Sequence, residues 1–334
     1  MGKIKVHGRK GVFFTFLAIT IMTLFVILFA PTSDISLQSG ALAVGTRIGS
    51  VDNYISNLEG AYLETVLGNS AYRSVLSLIY YMNSTGDYLP DINGAFQEVL
   101  INGTINKVKI DSITGKKIME NHTITNWSSK ISQIAKETLN VNTTIILNNA
   151  SIYQTKPWSM EAELNLNFTV TSSLAEWRKG VKVTAEVNIE GLDDPYYLIN
   201  TGGGYSNRIK RSTVEFNKWN LSATREHLRN GTYVHFENSG APSFLMRFTN
   251  TLSNSSCCGI ESLVNPNKIG SMDVMDSYVD YMFWGSTVTP CIELFNITNP
   301  ATGAGLWDEF RFFKMDVNHV VSYNITEEYA VRSC

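Results

Sequence analysis

The sequence predicts an α+β protein in which a long N-terminal membrane and stalk helix precedes an antiparallel β-sheet head with additional helices. Three observations support this fold class. Residues 12–30 contain no charged side chain, residues 37–66 carry an apolar stripe at heptad spacing, and residues 143–189 alternate apolar with polar side chains. The first two patterns are typical of helices, whereas the third is typical of strands with one buried face.

Residues 12–30, VFFTFLAITIMTLFVILFA, are long enough to cross a membrane as a helix. Nineteen residues span roughly 28 Å at about 1.5 Å each, which is close to the thickness of a hydrocarbon core. A secretory signal core is usually about 7–15 residues long, and Leu28 stands where a cleavage site ending at Ala30 needs a small residue. We therefore predict a retained transmembrane helix, with a cleaved secretory signal as the alternative. The basic residues before it place the following chain outside the cell.

An apolar stripe follows this segment. Its members are Leu37, Ala41, Val44, Ile48, Val51, Ile55, Leu58, Tyr62 and Val66. Gaps of three and four residues give a period near 3.5, which predicts an amphipathic stalk helix over residues 31–82, with a bend or interruption at Pro31. The stripe has two interpretations: it packs on the globular domain of its own chain, or it packs against other subunits.

A short basic leader, residues 1–11, ends in Arg9-Lys10-Gly11 and runs directly into the apolar segment at Val12. This layout resembles the class III signal peptide of archaeal type IV pilin-like surface proteins. The resemblance implies that a membrane peptidase cuts after Gly11 and that the apolar helix is kept as the assembly stalk. Phe16 departs from bacterial major pilins, which have a glutamate at this fifth mature position.

The remainder divides at Gly202-Gly203-Gly204 into a head, residues 83–200, and a mixed α/β region, residues 205–334. Alternation predicts strands over residues 143–153, 159–171 and 180–189, which form one antiparallel sheet. Helices are predicted over residues 91–100, with Asp91 as the cap, and over 126–139 and 221–229. Further strands are expected over residues 232–236 and 244–249.

N-glycosylation sequons, N-x-S/T, are more frequent than composition alone predicts. They begin at Asn83, Asn102, Asn121, Asn126, Asn142, Asn149, Asn167, Asn220, Asn230, Asn254, Asn296 and Asn324. Composition would produce roughly five such motifs. The excess favours an exported chain, and none of the motifs precedes the apolar segment. Simple richness in asparagine and threonine is the alternative.

All four cysteines, Cys257, Cys258, Cys291 and Cys334, lie in the last third of the chain. A bond between the neighbours Cys257 and Cys258 would close a strained eight-membered ring. We therefore expect one of them to bond with Cys291 and the other with Cys334, as an exported chain permits. Zinc binding is the alternative, but the C-x-x-C spacing that it prefers is absent.

No catalytic motif of the H-E-x-x-H or G-x-S-x-G type occurs. Asp316 and His319 have the spacing of an acid–base pair, but no nucleophile accompanies them, so a structural hydrogen bond is favoured. Asp273, Asp276 and Asp280 offer oxygen ligands for calcium without the spacing of an EF-hand, and a solvated acidic face is favoured. We predict no enzymatic activity, no metal and no cofactor.

The sequence therefore predicts a membrane-anchored, extracellular structural or adhesive protein, a pilin-like or pseudopilin-like subunit with a cytoplasmic N-terminus. Its expected partners are the lipid bilayer, through residues 12–30, and copies of itself or other pilin-like subunits, through the stripe from Leu37 to Val66. The net charge of −3 gives no electrostatic reason to expect nucleic-acid binding. The alternatives are a single-pass anchored ectodomain that binds a soluble ligand or glycan, and an anchored hydrolase, for which no motif is present.

Overall fold

The computed structural model describes residues 20–21, 40–173, 175–237, 240–255, 257–270, 277–285, 294–302, 307 and 313–332. The chain divides into two units, Met1–Ile48 and Gly49–Cys334. No helix in the described ranges combines the length and the apolarity needed to cross a bilayer. The predicted transmembrane segment, residues 12–30, lies outside the described residues except for 20–21, as does the predicted leader.

The predicted fold class is wrong in its first part. The structure has the helices and antiparallel sheets of an α+β protein, but the described residues contain no long apolar helix. The chain is helical from residue 40 through α1 (Gly40–Asn57), a π-helical turn (Leu58–Tyr62) and α2 (Leu63–Thr85). These helices are amphipathic rather than apolar, because polar residues such as Asp52, Asn53 and Glu64 occupy their exposed faces.

The apolar stripe packs on the domain of its own chain from Val51 onward. Val51, Ile55 and Leu58 are buried in the main hydrophobic cluster, together with Val66. Tyr62, within the π-helical turn, is exposed. Burial of these side chains stabilises the helices by removing apolar area from water, about 25 cal/mol for each Å². The first of the two interpretations of the stripe is therefore confirmed over this length.

The remaining elements follow in short succession. The helices are α3 (Ile92–Asn102), α4 (Ile110–Thr114), α5 (Ile124–Leu139), α6 (Pro195–Asn200), α7 (Leu221–Asn230), α8 (Pro266–Ile269), α9 (Asp280–Phe283) and α10 (Val317–Ser322). The strands are β1 (Thr104–Ile105), β2 (Val108–Lys109), β3 (Asn142–Lys156), β4 (Ser159–Thr171), β5 (Glu176–Asn188), β6 (Leu294–Ile297), β7 (Lys314–Asp316) and β8 (Ala330–Arg332). Single 3-10 turns lie at Phe216–Lys218, Leu245–Thr249 and Glu327–Tyr329.

The main sheet is antiparallel in the order β3-β4-β5. The predicted range 159–171 is that of β4, and the alternation in its sequence is the alternation of its burial. Met160, Ala162, Leu164, Leu166, Phe168 and Val170 point to the buried face, which α2 and α3 cover. The opposite face of β4, which carries the asparagines and glutamates of the strand, is turned to solvent.

Local capping accounts for two of the predicted boundaries. Asp91 caps α3, because its carboxylate accepts hydrogen bonds from the amides of Asn93 and Gly94 at 3.0 and 2.8 Å. The break expected after residue 82 occurs at Gly86, whose φ of 75° ends α2 in a left-handed cap. Both signals are local, and both predictions are confirmed.

A second antiparallel sheet, in the order β7-β6-β8, lies in the C-terminal part together with a second hydrophobic cluster around Trp219, Phe313 and Tyr323. The strand predicted over residues 244–249 is wrong, since Leu245–Thr249 forms a 3-10 turn. Leu245, Arg247 and Phe248 are all buried, which the alternating faces of a strand do not allow. Residues 232–236 form isolated bridges at Tyr233 and Val234 instead of a full strand.

Candidate functional site

The 3-10 turn Leu245–Thr249 places a fully buried arginine, Arg247, between two aspartates. Its Nη1 lies 2.8 Å from Asp194 Oδ2 and 2.8 Å from Asp280 Oδ2. Its Nη2 donates to Asp280 Oδ1 and to the backbone carbonyl of Ile260. Asp194 also caps α6 by accepting from the amide of Tyr196. One guanidinium therefore joins the start of α6, the start of α9 and the segment before residue 261.

Neutral side chains complete this cluster. Tyr233 donates its hydroxyl to Asp194 Oδ2 at 2.8 Å, and Asn207 Nδ2 donates to the Tyr233 hydroxyl at 3.1 Å. Burial raises the pKa of Asp280 to about 6, because Arg247 offsets only part of the desolvation. Burial also raises the pKa of Tyr233 well above its ordinary value. At neutral pH Arg247 is therefore a cation, Asp280 is mostly a carboxylate, and the Tyr233 hydroxyl is neutral.

A second cluster surrounds His319, which is also buried. Its Nδ1 lies 2.6 Å from Asp316 Oδ2, and its Nε2 lies 3.1 Å from Glu261 Oε2. Ser277 donates its hydroxyl to Asp316 at 3.0 Å. Burial lowers the pKa of His319, but the Glu261 charge and the hydrogen bond to Asp316 outweigh burial and raise the pKa to about 10. His319 is therefore an imidazolium at neutral pH.

The predicted pair Asp316 and His319 is thus brought together, and the structure supports the structural interpretation that the sequence favoured. A general base needs a nitrogen lone pair that can reach a substrate proton. Both ring nitrogens of His319 face carboxylates, and the side chain is 2% exposed. The arrangement holds β7, α10 and the segment at Glu261 together, and it leaves no lone pair on His319 for proton transfer.

A third buried group, His227, has the opposite electrostatic environment. Its Nδ1 lies 2.6 Å from the Thr232 hydroxyl, and its Nε2 lies 3.3 Å from the Tyr323 hydroxyl. Burial lowers the pKa of His227 to about 3, and the two groups that contact its ring nitrogens are neutral. His227 is therefore neutral over the physiological pH range.

Asp280, one of the three aspartates considered for calcium, does not lie on the solvated face that the sequence favoured. Asp280 is fully buried against Arg247, whereas Asp273 and Asp276 lie outside the described residues. The charge of Arg247 is the reason that Asp280 is tolerated in the interior. Within the described ranges, no group of three or more histidine, cysteine, aspartate or glutamate side chains is placed to hold a metal ion.

Arg247 and Glu261, the two residues that organise these clusters, were not among the residues singled out from the sequence. Both are single charges inside apolar runs, FLMRF and GIESLV. A charged residue is rarely buried without a partner. An isolated charge in an apolar run was therefore a usable signal for burial, although it did not indicate the partners.

A cavity of about 730 Å³ lies in the C-terminal part of the second unit. Its lining includes His235, Glu237, Asn217 and Ser322, together with Val321, which is 73% exposed. His235 Nδ1 lies 2.6 Å from the carbonyl oxygen of Gly259, so Nδ1 donates and Nε2 carries the lone pair in the neutral ring. This cavity therefore combines a hydrogen-bonding imidazole, a carboxylate and an apolar wall.

The sequon asparagines all lie at the surface. Ten of the twelve are exposed, and Asn126 and Asn296 are half-buried. The two asparagines in the described residues that are buried, Asn207 and Asn265, belong to no sequon. Two of the sequon asparagines donate Nδ2 to backbone carbonyls, Asn324 to Trp219 at 3.0 Å and Asn220 to Lys218 at 3.4 Å. The sequons are therefore placed where an attached sugar would extend into solvent.

The predicted cysteine pairing is corrected by the structure, which joins Cys257 to its neighbour Cys258. Cys258 is buried, and both sulfurs lie within 3.6 Å of the carbonyl oxygen of Gln154 at the end of β3. The disulfide therefore lies against the end of β3. Cys291 and Cys334 lie outside the described residues.

This pairing is checked by peptide mapping without reduction. We expect one peptide that contains both Cys257 and Cys258 and is lighter by two hydrogen atoms than its reduced form. With that bond formed, Cys291 and Cys334 have only each other as partners within the chain. A cross-linked peptide joining Cys257 or Cys258 to Cys291 or Cys334 would contradict the pairing.

The predicted processing residues, Arg9, Lys10, Gly11 and Val12, lie outside the described residues.

Comparison with protein-family models, with curated proteins and with solved structures gives no match for this chain.

Proposed function

We propose that this chain is an exported surface glycoprotein with a structural or adhesive role, of the pilin-like or pseudopilin-like kind, attached to the membrane through its apolar residues 12–30. The observation that carries the proposal is the surface position of all twelve sequon asparagines. An excess of sequons placed at the surface is expected of a chain that passes a glycosylating transferase during export. The basic residues before Val12 orient the second unit toward the outside.

The buried clusters support a structural rather than a catalytic role. The guanidinium of Arg247 and the imidazolium of His319 each satisfy two carboxylates in the interior. Such groups hold the elements of the C-terminal part in place and leave their reactive atoms occupied. A surface protein exposed to an uncontrolled medium gains from this internal bonding, because partly open states expose apolar surface and proteolytic sites.

The proposal is tested at the N-terminus of the protein isolated from its native membrane. We expect intact-mass measurement to show a chain that begins at Val12, because the Lys10-Gly11 step is the processing site that the resemblance implies. Replacement of Gly11 by leucine is expected to leave the leader attached, whereas replacement of Gly2 by leucine is the matched control that leaves processing unchanged. Recovery of the natural protein free in the medium, beginning beyond Ala30, would overturn the proposal.

The cavity lined by His235 and Glu237 favours a second candidate function, the binding of a soluble ligand by an anchored ectodomain. A cavity of about 730 Å³ is within the size range of small-molecule sites. Titration calorimetry with soluble oligosaccharides tests this candidate. Binding that is lost in His235→Ala and kept in the control His122→Ala would support it, and the absence of any binding heat would remove it.

A further inference from the structure

We propose that Asn167, in β4 beside Gly180 of β5, carries an N-linked glycan whose first sugar lies over Ile146 of β3. The inference rests on the proposed export of the chain. It names one covalent modification site and the apolar surface that the modification covers.

The register of the sheet sets these three residues side by side on the outer face. Asn167 pairs with Ile146 of β3 on one side and with Gly180 of β5 on the other. Cβ atoms of directly opposed residues are about 4.5–5.5 Å apart. Ile146 is 57% exposed, although it lies in a sheet whose other face is buried. An isoleucine left in water at this position is explained if a group absent from the polypeptide covers it.

Gly180 lies on the side of Asn167 that faces away from Ile146, and the Asn167 side chain itself lies against it. A Cβ atom at residue 180 would lie 2.9 Å from Asn167 Oδ1, a contact that a small movement of the asparagine side chain relieves. The backbone of Gly180 does not itself require glycine, because its φ lies outside the left-handed region. Glycine inside a strand weakens the strand, and here it leaves room for the Asn167 side chain on this face.

The Asn167 amide is available for attachment, whereas the amide of its neighbour is not. Among the described residues, Asn167 Nδ2 has no hydrogen-bond partner, and its side chain is exposed. Asn165, on the same strand and the same face, donates its Nδ2 to Glu163 at 3.1 Å and belongs to no sequon. Asn165 is therefore a matched control for Asn167.

The modification transfers a sugar from a lipid-linked sugar phosphate donor. The new bond joins Asn167 Nδ2 to the anomeric carbon, and the bond between that carbon and the phosphate oxygen breaks. The lipid phosphate leaves with the bonding electron pair, and the amide loses one proton to a base of the transferase. Thr169 completes the sequon N-F-T that the transferase recognises. The C–H face of the attached sugar ring then supplies the apolar cover for Ile146.

Occupancy is tested by glycopeptide mass spectrometry of the full chain from its native host. We expect the peptide containing Asn167 to carry a glycan that is lost in Asn167→Gln and Thr169→Ala and kept in Thr169→Ser and Asn165→Gln. An unmodified Asn167 together with occupied sequons elsewhere overturns this inference alone. A chain without any occupied sequon overturns the proposed export as well.

The contact between the sugar and Ile146 is tested separately, by measuring the melting temperature. We expect Asn167→Gln to lower the melting temperature by about 2–4 °C in protein from the native host, which corresponds to the loss of about 1 kcal/mol in a domain of this size. The same substitution in protein from a host without N-glycosylation is expected to leave the melting temperature unchanged. When Ile146 is also replaced by threonine, Asn167→Gln is expected to lower the melting temperature by less. An equal loss in both hosts would assign the effect to the asparagine itself and overturn the contact.

Discussion

Asp194→Asn lowers the free energy of unfolding by about 3 kcal/mol, whereas the same substitution at the preceding residue, Asp193, lowers it by less than about 1 kcal/mol. Asp194 is fully buried and accepts hydrogen bonds from Arg247, Tyr233 and the amide of Tyr196. An asparagine there turns its NH₂ group toward donors and leaves Arg247 with a single buried carboxylate. Asp193 pairs with Arg208, whose side chain is 76% exposed, and solvent screens that pair.

The comparison is made by urea unfolding of the full-length protein, with the midpoint and the slope determined for each variant. The two substitutions have the same chemistry and lie at adjacent positions, so the difference between them measures burial of the ion pair. Equal losses at the two positions would show that the Arg247 cluster contributes no more than a surface ion pair. Arg247→Met extends the test, and we expect a loss of about 3–5 kcal/mol, because two buried carboxylates then face each other without a cation.

The second large effect is a pH dependence of stability set by two buried histidines whose pKa values move in opposite directions on folding. Folding raises the pKa of His319 from 6.5 to about 10, so its contribution is complete below pH 6.5 and is lost as the pH rises toward 10. Folding lowers the pKa of His227 from 6.5 to about 3, so its contribution is complete above pH 6.5 and is lost as the pH falls toward 3. A tenfold change in a proton-dissociation constant corresponds to roughly 1.4 kcal/mol, so each limb amounts to a few kcal/mol. The raised pKa of Asp280 acts against the His227 contribution between pH 3.8 and about 6.

The alkaline and the acid part of the pH dependence are each tested by replacing one histidine. The variant of the other histidine is the control. The pH dependence of the melting temperature should flatten above pH 6.5 in His319→Gln and below pH 6.5 in His227→Gln. The charged groups that face His319 are Glu261 and Asp316, and Tyr281 also contacts Nε2 at 3.2 Å. The ring nitrogens of His227 face hydroxyls and the ion pairs of His319 are buried, so added salt should change neither limb much. An alkaline limb that persists unchanged in His319→Gln would contradict the assignment.

Local patterns predicted the main sheet and several helix ends. The alternation in residues 159–171 depends only on the two faces of a strand, and the cap at Asp91 depends on a side chain and the two amides that follow it. The strand predicted over residues 244–249 was wrong, because the inward position of Arg247 depends on Asp194 and Asp280, which are distant in sequence. The same long-range dependence concealed Glu261 as the second partner of His319.

The pairing of the cysteines shows the same difference between what local sequence predicts and what distant contacts decide. Counting residues and judging the strain of a small ring favoured bonds to Cys291 and Cys334, whereas the structure joins Cys257 to Cys258. Ring strain can be judged from the sequence alone. The position of this pair beside Gln154 involves a residue 103 positions before Cys257, and sequence spacing carries no information about that contact.

The sequence alone determined the antiparallel main sheet and the amphipathic character of residues 40–82, because periodicity depends on near neighbours. Only the tertiary structure decided which charges are buried together, which stripe residues face the core, and that Asn167, Ile146 and Gly180 are neighbours. Those relations depend on strand register and on contacts between distant segments. The physical reason is that a side chain's partner in the interior is chosen by the fold as a whole, whereas its tendency to be helical, extended or exposed is set within a few residues.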